Sequence, residues 1–148
     1  MTDARNLLPI VVAYLPVPIV GAVLSARWRV GASPDGGPGD MVLRGTALTP
    51  PLFLPAALLI AANAARDPGR RGRAGAGVVS LVATAFLAGS TANLPNDFAA
   101  ARSAGTPVAL TAGLAAVHLA LSLALLYNAV PRVAGRSTMD IVVAASAG

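Results

Sequence analysis

Four stretches of the chain contain no Asp, Glu, Lys or Arg, and each is at least 20 residues long. They cover residues 7–26, 45–65, 74–96 and 105–130. A helix that crosses a bilayer needs roughly 20 such residues. Only 11% of the chain is charged, against about 25% in a typical soluble domain. The pattern therefore predicts an all-α fold, a four-helix transmembrane bundle made of two antiparallel helical hairpins.

The polar connectors and the tail define the expected organisation. Residues 1–130 are predicted to form a single transmembrane domain, followed by a short, flexible C-terminal tail over 131–148. The first stretch is expected to remain as a span, because its apolar run of about 20 residues exceeds the 7–15 of a signal peptide. The predicted connectors are residues 27–44, 66–73 and 97–104.

The distribution of arginine predicts the orientation. All eleven basic residues are Arg and all six acidic residues are Asp, a bias that indicates a GC-rich, bacterial genome. Seven Arg fall on the side of the N-terminus, the 66–73 connector and the tail, against four on the other side. Positive charge concentrates in the cytoplasm. We therefore expect a multi-pass protein of the cell membrane with both termini cytoplasmic.

The same composition limits the partners and cofactors. The arginines flank apolar runs and do not follow a solvated face, so nucleic acid is not expected as a partner. With no Cys, no Glu and one His, neither a metal site nor a cofactor is predicted. The expected partners are the lipid bilayer, a second copy or another membrane protein, and a lipophilic small molecule.

His118 is the only histidine and sits near the middle of the fourth apolar stretch. It shares a helical face with Ser122, and Thr84 lies at a similar depth on the preceding stretch, on a stripe that continues to Thr91. One interpretation is a neutral ring bonded to Thr84, Ser122 or a backbone carbonyl. The other is a proton carrier, general base or axial ligand, since ionisable groups inside membranes are usually functional. The sequence favours neither the structural nor the functional interpretation of His118.

A second polar cluster ends the third stretch. Asn93, Asn96 and Asp97 lie within about one helical turn, and Pro95 is expected to disrupt the helix there. These residues either form a polar mouth for a head group or a small substrate, with Asp97 as an acid or base, or they cap a hairpin while Asp97 pairs with Arg102. Turn residues of these types favour the second interpretation.

The prolines and small residues allow two further interpretations. Pro16 and Pro18, together with Pro50 and Pro51, predict either a broken helix that lines a cavity or a packed kink satisfied by Ser or Thr, and the packed kink is favoured. A ridge of alanines on the fourth stretch favours close helix packing or a homo-oligomer. That ridge consists of Ala112, Ala116, Ala120 and Ala124.

Residues 48–128 resemble the anthrone oxygenase-like family of small four-helix membrane proteins. The resemblance is carried by Thr49–Phe53, a Pro-Leu-Phe entry to the second helix, and by Asn93–Asn96 at the end of the third. The Asn spacing after Pro95 is one residue short of the family pattern. The Trp, Asn and Arg features of the family's last helix are missing. The resemblance implies a cofactor-independent, oxygenase-like pocket for a lipophilic substrate, with Asn93, Asn96 and His118 as candidates.

Three functions are compatible with the sequence. The first is an accessory or structural component of a membrane complex, which agrees with the scarcity of ionisable groups. The second is a membrane enzyme that acts on a lipophilic substrate, with His118 and Asp97 as catalytic residues. Its substrate-binding residues would be Asn93, Asn96, Thr84, Thr91 and Ser122. The third is a component of an oligomeric transporter, which is disfavoured because the spans carry no Glu for proton coupling.

Overall fold

The computed structural model describes residues 7–30, 38–46 and 48–134. These residues are helical apart from short connections, and their one β-bridge joins Thr46 to Thr49. The helices are α1 (Leu7–Tyr14), α2 (Pro16–Trp28), α3 (Pro38–Leu43), α4 (Phe53–Ala64), α5 (Gly69–Ser103) and α6 (Val108–Val133). The predicted all-α class is confirmed. Most of the predicted tail, from residue 135 onward, lies outside the described residues.

Three helical segments are long and apolar enough to cross a membrane: Leu7–Trp28, α5 and α6. Helices α1 and α2 count as one segment because Leu15 between them keeps helical backbone angles. Helix α4 is also apolar but has only 12 residues, about 18 Å at 1.5 Å per residue. A bilayer core is about 30 Å thick. The described residues therefore contain three helical segments long enough to span a bilayer and one short apolar helix, an architecture compatible with a helical membrane protein.

The prediction of a continuous second helix over 45–65 is wrong in its first third. Gly45 has a positive φ of 74°, and Thr46 and Thr49 exchange backbone hydrogen bonds across a tight turn. Pro50 and Pro51 lack N–H donors and push the preceding residues out of the helical region. The described residues 44–46 and 48–52 are therefore irregular, and they are called here the entry segment, which precedes the start of α4 at Phe53.

Helix α5 is longer than predicted at both ends. It begins at Gly69, inside the expected 66–73 turn, and continues to Ser103, through most of the expected 97–104 connector. The expected disruption at Pro95 does not end it, since Pro95 lies inside the helix. A proline removes one hydrogen bond and bends a helix, and here the remaining bonds of the helix continue past it.

A glycine turn joins α5 to α6. Gly105 takes a φ of 74°, and the N–H groups of Gly105 and Thr106 donate to the carbonyls of Arg102 and Ala101, at 3.0 and 2.8 Å. This is the Schellman arrangement, in which a left-handed residue satisfies the last carbonyls of a helix. The turn reverses the chain, so α5 and α6 form an antiparallel pair.

The end of α6 packs beside the end of α4. Helix α6 continues past residue 130, through Pro131 to Val133. The guanidinium of Arg132 donates to the carbonyl of Ala65 at 2.6 Å. That bond satisfies a carbonyl left free where α4 ends, and it gives the last turn of α6 a tertiary anchor.

The core lies between α1, α4, α5 and α6, and its side chains are mostly small. It consists of Leu7, Val11, Tyr14, Leu58, Ala61, Ala62, Ala65, Ala76, Val79, Val82, Ala83, Phe86, Leu125 and Ala129. Large apolar side chains such as Ile60 (73% exposed), Leu81 (71%) and Leu123 (56%) point outward. Large apolar side chains exposed on α4, α5 and α6 suit a lipid environment.

Candidate functional site

A partly open pocket of about 220 Å³ lies between the entry segment, α2, α5 and α6. The entry segment contributes one wall, from Arg44 to Pro51, and Val17 contributes from α2. The remaining wall comes from the C-terminal half of α5 and the N-terminal half of α6. Most of the lining is apolar, which is typical of a small-molecule site.

Hydrogen bonds hold the entry segment against α2. The hydroxyl of Thr49 donates to the carbonyl of Pro18 at 3.0 Å, and the hydroxyls of Thr46 and Ser25 bond to each other. Gly21 faces the carbonyl of Leu48 so closely that a Cβ at Gly21 would overlap it. The irregular backbone is therefore buried against protein, as it must be at membrane depth. The carbonyl of Pro18 thus accepts a hydrogen bond from a threonine, and the neighbouring residue Val17 lines the pocket.

Three aromatic rings meet at the deep end of the pocket. The Nδ1 atom of His118 lies 2.8 Å from the hydroxyl oxygen of Tyr14. The Phe86 ring lies 5.0 Å from the His118 ring and 5.6 Å from the Tyr14 ring, between ring centres. His118 and Phe86 line the pocket, whereas Tyr14 is fully buried behind them. These contacts fix the orientation of the imidazole.

Polar side chains border the exposed end of the pocket. Asn93 and Asp97, one turn apart on α5, line it together with Arg44 of the entry segment. Asn93 and Arg44 are exposed and Asp97 is half-buried, in contrast to His118, which is 7% exposed. The pocket thus runs from a charged and polar mouth to an apolar floor that contains one imidazole.

The structure brings three of the predicted site residues, His118, Asp97 and Asn93, to the lining of one pocket. Asn96 is exposed and does not line it. Thr91 is also exposed, and its hydroxyl donates to the carbonyl of Leu87 at 2.7 Å. The expected convergence of the whole 93–97 cluster is therefore limited to Asn93 and Asp97.

The expected hydrogen-bond partners of His118 are wrong. Thr84 is exposed, and its hydroxyl donates to the carbonyl of Ser80 at 2.8 Å. Ser122 is buried but donates to the backbone carbonyl of His118 and not to its ring. Both hydroxyls are satisfied by the carbonyl four residues earlier in their own helix, a bond always within reach of Ser and Thr.

Tyr14 is the site residue that sequence reasoning missed. Its phenol is a second polar group within an apolar stretch, and buried phenols need a hydrogen-bond partner as histidines do. The sequence therefore indicated a pairing of Tyr14 with His118, because both side chains need a hydrogen-bond partner when buried. The alternative pairing of Asp97 with Arg102 is also not observed, since no ion pair joins them among the described residues.

Nothing in the described part of the chain, residues 7–30, 38–46 and 48–134, groups three His, Cys, Asp or Glu side chains as a metal site would. Comparison of the chain with protein-family models, with curated proteins and with solved structures finds no match. The resemblance to the anthrone oxygenase-like family therefore stays a prediction.

Proposed function

We propose that this chain is a multi-pass membrane protein that binds a small lipophilic molecule in the pocket above His118. The observation that carries the proposal is the pocket itself, an apolar cavity of about 220 Å³ with a single oriented imidazole at its floor. Apolar pockets with a few convergent polar groups are the usual form of small-molecule sites.

The volume indicates the size of the ligand. A buried apolar cavity of about 150 Å³ holds a benzene molecule. A cavity of about 220 Å³ accommodates one substituted ring, or a short branched chain of equal bulk. A longer ligand would extend through the open end, where Asn93, Asp97 and Arg44 meet it. The proposed ligand is therefore compact and apolar at its inner end.

The proposed setting is the cell membrane with both termini in the cytoplasm, which the arginine distribution supports. The polar mouth, close to the ends of α2 and α5, then faces outward. A lipophilic molecule would reach the pocket from the outer leaflet or from the extracellular side.

A thermal-shift titration with toluene tests the proposal. Ala115 lines the pocket, whereas its neighbour Ala116 is exposed and does not line it. Toluene is expected to raise the unfolding temperature of the wild type and of Ala116→Phe, because a ligand that binds only the folded state stabilises it. Ala115→Phe fills the pocket and should lose that response. Equal responses in the two variants would show that toluene acts on the membrane or detergent, and would contradict a binding pocket.

An enzymatic role is the second candidate, supported by the imidazole on the pocket wall. A histidine beside a bound substrate can move a proton as a general acid or base, as the oxygenase-like resemblance implies. His118→Gln would then abolish turnover while the pocket still binds its ligand. Unchanged turnover in this variant would refute the enzymatic role and leave the binding role standing.

An accessory role in a membrane complex is supported by the outer face of α6. Ala112, Ala116 and Ala120 of the predicted ridge are exposed, and Gly113 beside them has open space around it. Small residues on a lipid-facing surface permit close approach of another helix. This role is compatible with ligand binding, because the face and the pocket lie on different sides of α6.

A further inference from the structure

We propose that the ligand carries a hydrogen-bond acceptor, such as a carbonyl oxygen, that binds the Nε2–H group of His118. Tyr14 would hold the imidazole in the tautomer that presents this donor to the pocket. The inference rests on the proposed function, since it specifies the chemistry of the molecule in the same pocket.

The burial of Tyr14 decides the direction of its hydrogen bond. The Tyr14 side chain is fully buried, and His118 Nδ1 is its hydrogen-bond partner, at 2.8 Å. If Nδ1 carried the proton and donated it, the phenolic O–H would have no acceptor among the described residues. A buried donor without a partner costs about 1–3 kcal/mol. The phenol therefore donates and Nδ1 accepts.

The tautomer of the ring follows from that direction. A neutral imidazole has one protonated nitrogen and one acceptor nitrogen. With Nδ1 as the acceptor, Nε2 carries the hydrogen. This relation is the same as in metal and catalytic sites, where the partner of one ring nitrogen sets the state of the other.

The second ring nitrogen, Nε2, has no hydrogen-bond partner among the described residues and is not fully enclosed. Among the described residues, Thr106 Oγ1 is the one fully enclosed polar side-chain atom that lacks a hydrogen-bond partner. Because Nε2 of His118 also lacks a partner, Nε2 is not fully enclosed. His118 forms part of the pocket wall. With His118 in the pocket wall, we infer that Nε2–H is the one N–H donor that the pocket floor offers to a ligand.

This donor selects the ligand class. A hydrocarbon bound against Nε2–H leaves the donor unpaired and therefore binds more weakly than a ligand of the same shape that accepts this hydrogen bond. A carbonyl or ether oxygen satisfies the donor. The carbonyl compound acetophenone and its isostere α-methylstyrene, which has a methylene group in place of the oxygen, form a matched pair of probes.

The tautomer is tested without any ligand by 15N solid-state NMR. Because the chain has one histidine, protein labelled with 15N-histidine in lipid bilayers gives one pair of ring signals. At neutral pH we expect a single tautomer with Nε2 protonated. Tyr14→Phe should give a mixture of tautomers, whereas Tyr127→Phe, which alters an exposed phenol, should not. A proton on Nδ1 in the wild type, or no effect of Tyr14→Phe, would overturn the inference.

The ligand class is tested by titrating both probes in the same samples. After correction for partition into lipid, acetophenone should bind roughly threefold to tenfold more tightly than α-methylstyrene, as one net hydrogen bond predicts. Only acetophenone should shift the Nε2 signal. Equal affinity with an unchanged Nε2 signal would overturn the inference and leave the proposed function standing. Failure of both probes to bind would contradict the proposed function itself.

Discussion

At the scale of single residues, the hydrogen bond between Tyr14 and His118 organises the deep end of the pocket. It joins α1 to α6 across 104 residues of sequence, and Phe86 of α5 packs against both rings. The hydrogen bond and the packing of Phe86 therefore connect three helices at the level of the pocket floor. Its loss should affect the stability of the fold as well as the orientation of the imidazole.

Tyr14→Phe is expected to lower the free energy of unfolding by about 1 kcal/mol. The substitution removes the phenolic donor and leaves Nδ1 of His118 without its partner, and hydrogen bonds inside membrane proteins are usually worth about 0.6–2 kcal/mol. Reversible unfolding in mixed micelles measures the change. Tyr127→Phe is the matched control, because Tyr127 is 77% exposed and should leave stability unaltered.

Sequence reasoning found His118, Asp97 and Asn93 because their polarity stands out against apolar surroundings. It missed the pairing with Tyr14, because a contact between the first and last helices depends on which faces those helices turn inward. It also placed Thr84 near His118 from depth alone. Depth along a span can be estimated from sequence, whereas rotation about the helix axis depends on packing among small side chains.

At the scale of elements, the entry segment distinguishes this fold from four equal helices. It replaces the first third of the expected second helix and supplies one wall of the pocket. Hydropathy could not reveal this, because an irregular apolar segment and an apolar helix have the same composition. Gly45, Pro50 and Pro51 carried the signal, since a left-handed glycine and paired prolines are poorly suited to a helix interior.

Gly21→Ala is expected to destabilise the protein by about 1–3 kcal/mol, because the added Cβ would overlap the Leu48 carbonyl and overpacking costs this much. The matched control is Gly113→Ala, which meets nothing within 4 Å. That substitution should stabilise α6 by up to about 1 kcal/mol. Thermal unfolding of both variants measures the difference, and an equal effect of the two would contradict the close approach of α2 to the entry segment.

A disulfide can test the same docking directly in this cysteine-free chain. The hydroxyls of Ser25 and Thr46 are within bonding distance, so the double variant Ser25→Cys/Thr46→Cys should cross-link under mild oxidant. After denaturation in SDS, cysteines joined in a disulfide do not react with a maleimide reagent, so the absence of labelling measures the cross-link. Ser25→Cys/Thr84→Cys should remain reactive, because Thr84 faces outward on α5. If the Ser25→Cys/Thr46→Cys variant stayed reactive with maleimide, the entry segment would not lie against α2 at these residues.

At the scale of the whole molecule, α5 separates two ends of different chemistry. Its 35 residues extend about 52 Å, more than the thickness of a bilayer core. Arg70, Arg71 and Arg73 lie at its first end, whereas Asp97 and the polar mouth lie toward its other end. The molecule therefore presents a basic end and a pocket-bearing end.

Single cysteines at the two ends of α5 test the proposed orientation. On intact cells, a membrane-impermeant maleimide should label Arg102→Cys and not Arg70→Cys, because the basic end is expected in the cytoplasm. Permeabilised cells should label both variants. Labelling of Arg70→Cys alone on intact cells would reverse the orientation, and labelling of both would contradict a membrane-spanning α5.

The most direct test of the pocket is native mass spectrometry of the protein released from mild detergent. We expect a co-purifying small molecule of defined mass on the wild type and on Ala116→Phe. That molecule should be absent from Ala115→Phe, whose new side chain occupies the pocket. A bare protein in all three samples, or the same adduct on both variants, would contradict a ligand bound beside His118.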